Sequence, residues 1–133
     1  MFLLDTNILS DLIRHPQGVI AAHITEVGED NIATSIIVAS ELRYGAERRG
    51  SPRLSAQLEA ILELLPILPL GDDADAHYGR LRADLERRGA PIGANDMLIA
   101  AHALAIGATL VTDNVREFER VEGLVIANWL RTA

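Results

Sequence analysis

Apolar and polar positions fall in blocks along this chain rather than in single alternation. Phe2 to Leu4, Asn31 to Thr34, Thr109 to Val111 and Leu124 to Ile126 are short runs without the every-second-residue pattern of a sheet with one wet face. Such runs, set between helical stretches, predict strands covered on both sides. Ile67 to Leu70 adjoins Pro66 and contains Pro69. A proline has no amide to give a central ladder, so this run is restricted to an edge.

The stretches between read as helices. Thr6 to Arg14 and Val19 to Val27 are short; Ile36 to Arg49 is longer and ends at "RRGSP". There Gly50 suits the position after a helix, Ser51 a cap, and Pro52 the first turn of the next helix. Leu54, Leu58, Ile61 and Leu65 recur at helical spacing, a stripe expected in the core, with a dimer contact as the other use. A further helix follows Asp72 or Asp73, carries Ala74, Tyr78, Leu81 and Leu85 on one face, and closes at "RRGAP". From Asn95 or Asp96 to Ile106 the chain is apolar nearly all round, which predicts the most buried helix. Strands alternating with helices predict an α/β fold: a short central parallel sheet of 4–5 strands, flanked by helices on both faces, in a single domain over 1–133.

A hydrophobic fraction of 49% in 133 residues supports one packed core. No apolar run approaches the roughly 20 residues of a membrane span, and Asp5 interrupts the apolar start. The expectation is a cytoplasmic protein without a membrane role. With no cysteine, disulfides, thiolate metal sites and a thiol nucleophile are excluded. The net charge of −7 argues against simple electrostatic capture of nucleic acid. Its distribution tempers that: all 12 basic residues are Arg, and Arg is the better fork for phosphate oxygens.

The acids carry the candidate chemistry. Asp5 and Asp113 each follow an apolar run, at the strand end where open parallel sheets bind ligands. Each also suits a plain helix cap. Glu41 has Ile37, Val38, Tyr44 and Gly45 as its helical neighbours, which sets a carboxylate on the apolar face, while Arg43 and Glu47 can pair on the other. Asp96 opens the most apolar helix, where its charge also suits the helix dipole. If Asp5, Glu41, Asp96 and Asp113 converge, their repulsion calls for a cation. Hard oxygen donors without Cys or paired His select Mg²⁺ or Mn²⁺. Such clusters serve phosphoryl chemistry. Thr6, Asn7, Thr112 and Asn114 are placed to orient the ligands.

"LLDTNIL", "VASELRYGA", "DMLIAAHAL" and "TDNVREFERVEGL…NW" occur in this order. Together they resemble the PIN-domain ribonucleases, specifically the VapC toxins of type II toxin–antitoxin pairs, from Met1 to about Trp129. The resemblance implies a PIN-like fold and Mg²⁺- or Mn²⁺-dependent endonucleolytic cleavage of RNA, leaving a 5′-phosphate and a 3′-hydroxyl. It implies that Asp5 and Asp96 hold the principal ion and that Glu41 is a further ligand or a base. Asp113 falls at a fourth polar position that varies within the family, and Thr112 and Asn114 belong to the same motif. A cognate VapB-type antitoxin, a homodimer and a higher toxin–antitoxin assembly are implied partners. Arg43 and Arg82 are candidates for steering RNA, whereas Arg87 and Arg88 suit helix-end charges.

His15, His23, His77 and His102 lack metal-pair spacing, His102 is expected to be packed, and Trp129 reads as a C-terminal anchor. Two other functions compete. A metal-dependent phosphatase-like domain would be expected to use a Lys near the phosphate, and the chain has none. A catalytically inactive RNA- or protein-binding module would be favoured by loss of an acid, yet all four are present.

Overall fold

A computed structural model describes residues 1–131. Five strands form one sheet: β1 (Phe2–Leu4), β2 (Ile32–Ser35), β3 (Ile67–Leu68), β4 (Thr109–Val111) and β5 (Ile126–Ala127). Their order is β3-β2-β1-β4-β5, and every pairing is parallel. Leu3, Leu4, Ala33, Leu110 and Val111 are fully buried, which explains why their runs show no alternation. β3 is indeed an edge strand, as its prolines require. Several boundaries differ from the sequence expectation: β2 runs on to Ser35, β3 stops at Leu68 before Pro69, and the helix expected from Asn95 or Asp96 starts at Ala94. A 3-10 turn over Glu29–Asn31 takes up Asn31 before β2 begins, and β5 starts at Ile126 rather than Leu124.

Among the described residues, seven helices connect and cover the sheet: α1 (Thr6–Arg14), α2 (Val19–Val27), α3 (Ile36–Arg49), α4 (Pro52–Leu62), α5 (Ala74–Arg87), α6 (Ala94–Ile106) and the short α7 (Val115–Phe118). The punctuation works as the residue types dictate. Gly50 adopts a left-handed φ of 64°, and the Ser51 hydroxyl accepts the Leu54 amide at 3.2 Å. α4 ends at Leu62, so Leu65 of the predicted stripe lies beyond the helix, and the stripe is split between two clusters. Leu58 and Leu62 pack with Ala46 of α3, while Leu65 joins the main core under the sheet. α6 buries Ile99, Ala100, Ala101, His102 and Ala103.

β1 lies at the centre with β2 on one side and β4 on the other. The chain leaves β1 toward β2 and β3, then returns to place β4 and β5 across from them. This change of direction opens a crevice at the carboxyl ends of β1 and β4. The Asp5 amide donates to the Val111 carbonyl at 2.9 Å, extending the ladder by one residue. Asp5 is thereby fixed beside Thr112 at the mouth of the crevice.

Candidate active site at the carboxyl edge of the sheet

Asp5, Glu41, Asp96 and Asp113 all line one open pocket of ≈550 Å³, together with Thr6, Asn7, Ser10, Arg14 and Asn114. Asp5 is 3% exposed and occupies the cap position of α1, yet its side chain makes no capping hydrogen bond. Instead its Oδ2 accepts the Thr112 hydroxyl at 2.7 Å. The same Thr112 oxygen accepts the Asn114 amide at 2.9 Å, so the turn after β4 orients the Asp5 carboxylate. Thr6 donates to Glu41 Oε1 at 2.7 Å, and Asn95 approaches Oε2 at 3.5 Å. Glu41 is half-buried; its helical neighbour Tyr44 faces solvent, so the apolar face is narrower than the spacing suggests.

Asp96 leans toward Glu117, which the sequence did not single out. Asn114 Nδ2 bridges them, 3.4 Å from Asp96 Oδ2 and 3.3 Å from Glu117 Oε2. A signal for Glu117 was present: Asn114-x-x-Glu117 has capping-box spacing at the start of α7. Here the carboxylate serves Asp96 and the Gly93 amide.

Asp113 stands apart from this group. Its Oδ1 accepts both Asn128 Nδ2 and Arg131 Nε at 2.9 Å, and these two partners hold its pKa below the usual carboxylate range. Its own amide donates to Asn7 Oδ1 at 3.0 Å. Asp113 thus borders the pocket without pressing its charge on the other three. Arg43 pairs with Glu59 rather than Glu47, and Arg82 engages Tyr78 and Glu86. Neither lines the acid pocket.

The electrostatics identify Asp5, Glu41 and Asp96 as one group. Burial raises the Asp5 pKa, and the Glu41 charge adds to that. Asp96 is pushed up to about 7, first by burial, then by its hydrogen bond to Glu117, then by the charges of Asp5, Glu117 and Glu41. Glu117 is correspondingly lowered, the ionised partner that accepts the Asp96 proton. As placed, no three acidic or histidine side chains among the described residues meet at one point. The carboxylates are parted onto hydroxyl, amide and carboxylate neighbours. The donor set is nonetheless all hard oxygen, crowded and short of positive charge, which fits Mg²⁺ or Mn²⁺ and not a thiophilic ion.

Two outcomes follow. Removing the Thr112 hydroxyl in Thr112→Val should weaken Mn²⁺ binding by roughly 10–100-fold through loss of Asp5 orientation, read by isothermal titration. The second concerns pH. The folded chain holds the Asp96 proton to about pH 7, the unfolded chain only to its ordinary value of 3.8. Folded protein therefore binds more protons between these limits, and this group's contribution to stability falls as pH rises through them. Buried His102, whose pKa is lowered by burial from its ordinary value, works in the opposite sense. The clean comparison is wild type against Asp96→Asn in EDTA. Their melting temperatures should converge near pH 4, and Asp96→Asn should be the more stable at pH 8. Added Mn²⁺ should reverse that order by stabilising wild type.

The chain is similar to known proteins over nearly its whole length. The family model described as PIN domain matches residues 2–124. "Ribonuclease VapC2" of Rickettsia felis is 38% identical over 131 residues, covering 97% of this chain and 98% of that protein. "tRNA(fMet)-specific endonuclease VapC" of Salmonella typhimurium is 38% identical over 132 residues, covering 96% and 97% respectively. Among solved structures, DNA-bound VapBC from Salmonella typhimurium superposes with a TM-score of 0.88 at 37% identity, covering 96% of this chain and 97% of that one.

Proposed function

The chain belongs to the PIN-domain family and, within it, to the VapC ribonucleases, and from that premise we propose that Asp5, Glu41 and Asp96 form the hydrolytic centre of an endoribonuclease toxin. The observation that carries this reading is the mutual charge of those three carboxylates in one pocket at the ends of β1 and β4. A Mg²⁺ or Mn²⁺ ion bound there would supply the Lewis-acid charge that phosphodiester hydrolysis requires. Asp5 and Asp96 would be its principal oxygen donors. Glu41, kept in place by Thr6, would be a third donor or the acceptor of the proton from the attacking water. Glu117 and Asn114 hold Asp96; Thr112 holds Asp5. Asp113, tied to Asn128 and Arg131, fixes the C-terminal segment at the pocket rim rather than serving as a principal ligand. The water oxygen attacks phosphorus, the P–O3′ bond breaks, and the products are a 5′-phosphate and a 3′-hydroxyl.

Solved relatives are toxin–antitoxin complexes, and a VapB-type antitoxin is the corresponding partner here. An acid pocket suits occlusion by a cationic side chain of such a partner. A homodimer, a higher toxin–antitoxin assembly, one domain over 1–133 and a cytoplasmic setting belong to the same reading. No helix among the described residues is long and apolar enough to cross a membrane.

The test is cleavage of transfer RNA and other RNAs by purified wild type and Asp96→Asn, in Mn²⁺ and in EDTA, with sequencing of the ends. Cleavage by wild type in Mn²⁺ alone, with 5′-phosphate ends, is the expected result. Equal cleavage by Asp96→Asn would mean that a contaminant is the nuclease.

A further inference from the structure

A phosphodiester entering a pocket lined by four carboxylates meets repulsion that one ion only partly offsets. A fixed cation beside the acids would complete the charge balance. Arg14 is the one cationic side chain, among the described residues, that lines the acid pocket. It also lines the neighbouring groove between α1, α3 and α4, with Ile13, Leu42, Leu54 and Leu58. The pocket and the groove share Thr6, Ser10, Arg14 and Glu41, so Arg14 stands where one opens into the other.

Of the other arginines, Arg49 lines the groove but not the acid pocket, and four elsewhere are more firmly engaged. Arg43 is held by Glu59, Arg82 by Tyr78 and Glu86, Arg88 by Asp84 at 2.7 Å, and Arg131 by Asp113. Arg14 has only a 3.9 Å contact with Asp11, and its side chain is 66% exposed. That contact is too long for a hydrogen bond. The guanidinium can therefore turn to an incoming anion without breaking a strong pair. Its planar fork matches two oxygens of one phosphate.

We propose that Arg14 is a substrate-binding residue that grips an RNA backbone phosphate next to the scissile bond, at the junction of the acid pocket and the α1–α3–α4 groove. This rests on the ribonuclease reading and assigns the phosphate grip to α1, not to Arg43 or Arg82. A purely structural role exists for Arg14, since it lies in the last turn of α1, where a cation offsets the helix dipole. That role would shift the melting temperature and leave RNA affinity alone.

The experiment measures binding of fluorescein-labelled transfer RNA by anisotropy across a salt series. Ca²⁺ is present as a hard cation for the carboxylates. Steady-state cleavage in Mg²⁺ is measured in parallel. Arg14→Gln should weaken binding roughly tenfold, the loss of one charged hydrogen-bonded contact. It should also lower the slope of log K against log salt by about 1. KM should rise by a similar factor while kcat stays within about twofold, because a flanking phosphate contact is made equally in ground and transition states. Arg14→Lys should keep the salt slope and recover part of the affinity. Arg87→Gln, at a helix-end arginine paired with Asp84 and outside both the pocket and the groove, should match wild type. Unchanged affinity and slope in Arg14→Gln, beside a wild type that binds RNA, would overturn the assignment of Arg14 alone. A wild type that neither binds nor cleaves RNA would overturn the ribonuclease reading and Arg14 with it.

Discussion

Asp5→Asn is expected to lower RNA cleavage by on the order of 10²–10³-fold or more, the scale of losing a preorganised charged group at a reacting centre. It should not harm the metal-free fold. Asp5 is almost fully buried, and desolvation is the largest influence on its carboxyl, raising its pKa. An amide of the same shape carries no charge to desolvate and can still accept the Thr112 hydroxyl. The variant should therefore melt in EDTA at or above the wild-type temperature at pH 8, and gain less from Mn²⁺. Activity and stability move in opposite directions, which a misfolding variant cannot mimic. Calorimetry in EDTA and in Mn²⁺, beside an RNA cleavage assay, reads both. Retained cleavage would remove Asp5 from the centre.

The largest expected effect on stability is at Trp129. It is 6% exposed, stacks on His23 with ring centroids 5.0 Å apart, and meets Phe2 of β1 at 5.4 Å. Trp129→Ala should cost roughly 3–5 kcal/mol, the range for truncating a buried aromatic. That is a large part of the roughly 5–15 kcal/mol that holds a domain together. Trp129→Phe should recover much of it, because the tilted contact with Phe2 needs a ring and not an indole. Urea unfolding followed by circular dichroism is the measurement, since the only tryptophan is the one removed. A change below about 1 kcal/mol would show that the C-terminal segment is not an anchor, against the core-residue range. The same segment carries Asn128 and Arg131, so loosening Trp129 also frees the Asp113 carboxylate.

Most of the fold was legible because its cues are local. Gly50, Ser51 and Pro52 punctuate α3 and α4 through their own backbone preferences. "LLD" and "LVTD" announce buried strands whose next residues face the crevice. The site was legible to the extent that each acid adjoins a core element. What escaped depends on partners distant in sequence. Asp113 follows a strand just as Asp5 does, yet Asn128 and Arg131, 15 and 18 residues later, claim its carboxylate. Glu117 lies on a helix of 4 residues, too short for any periodic signal, and its role depends on Asp96 reaching it from α6. Arg14 is an ordinary helix-end cation by sequence; only the packing of α1 against α3, which carries Glu41, puts it beside the acids. His102 was expected to be packed, and it is: its Nδ1 meets Ser35 Oγ at 2.7 Å, where Ser35 caps the helix that carries Glu41.

The most direct test of a shared ion is a Mn²⁺ titration of metal-free protein followed by electron paramagnetic resonance. Wild type should take up manganese at the acid pocket, and both Asp5→Asn and Asp96→Asn, altered at positions remote in sequence, should weaken the same uptake. Undiminished manganese affinity in both variants would contradict the account.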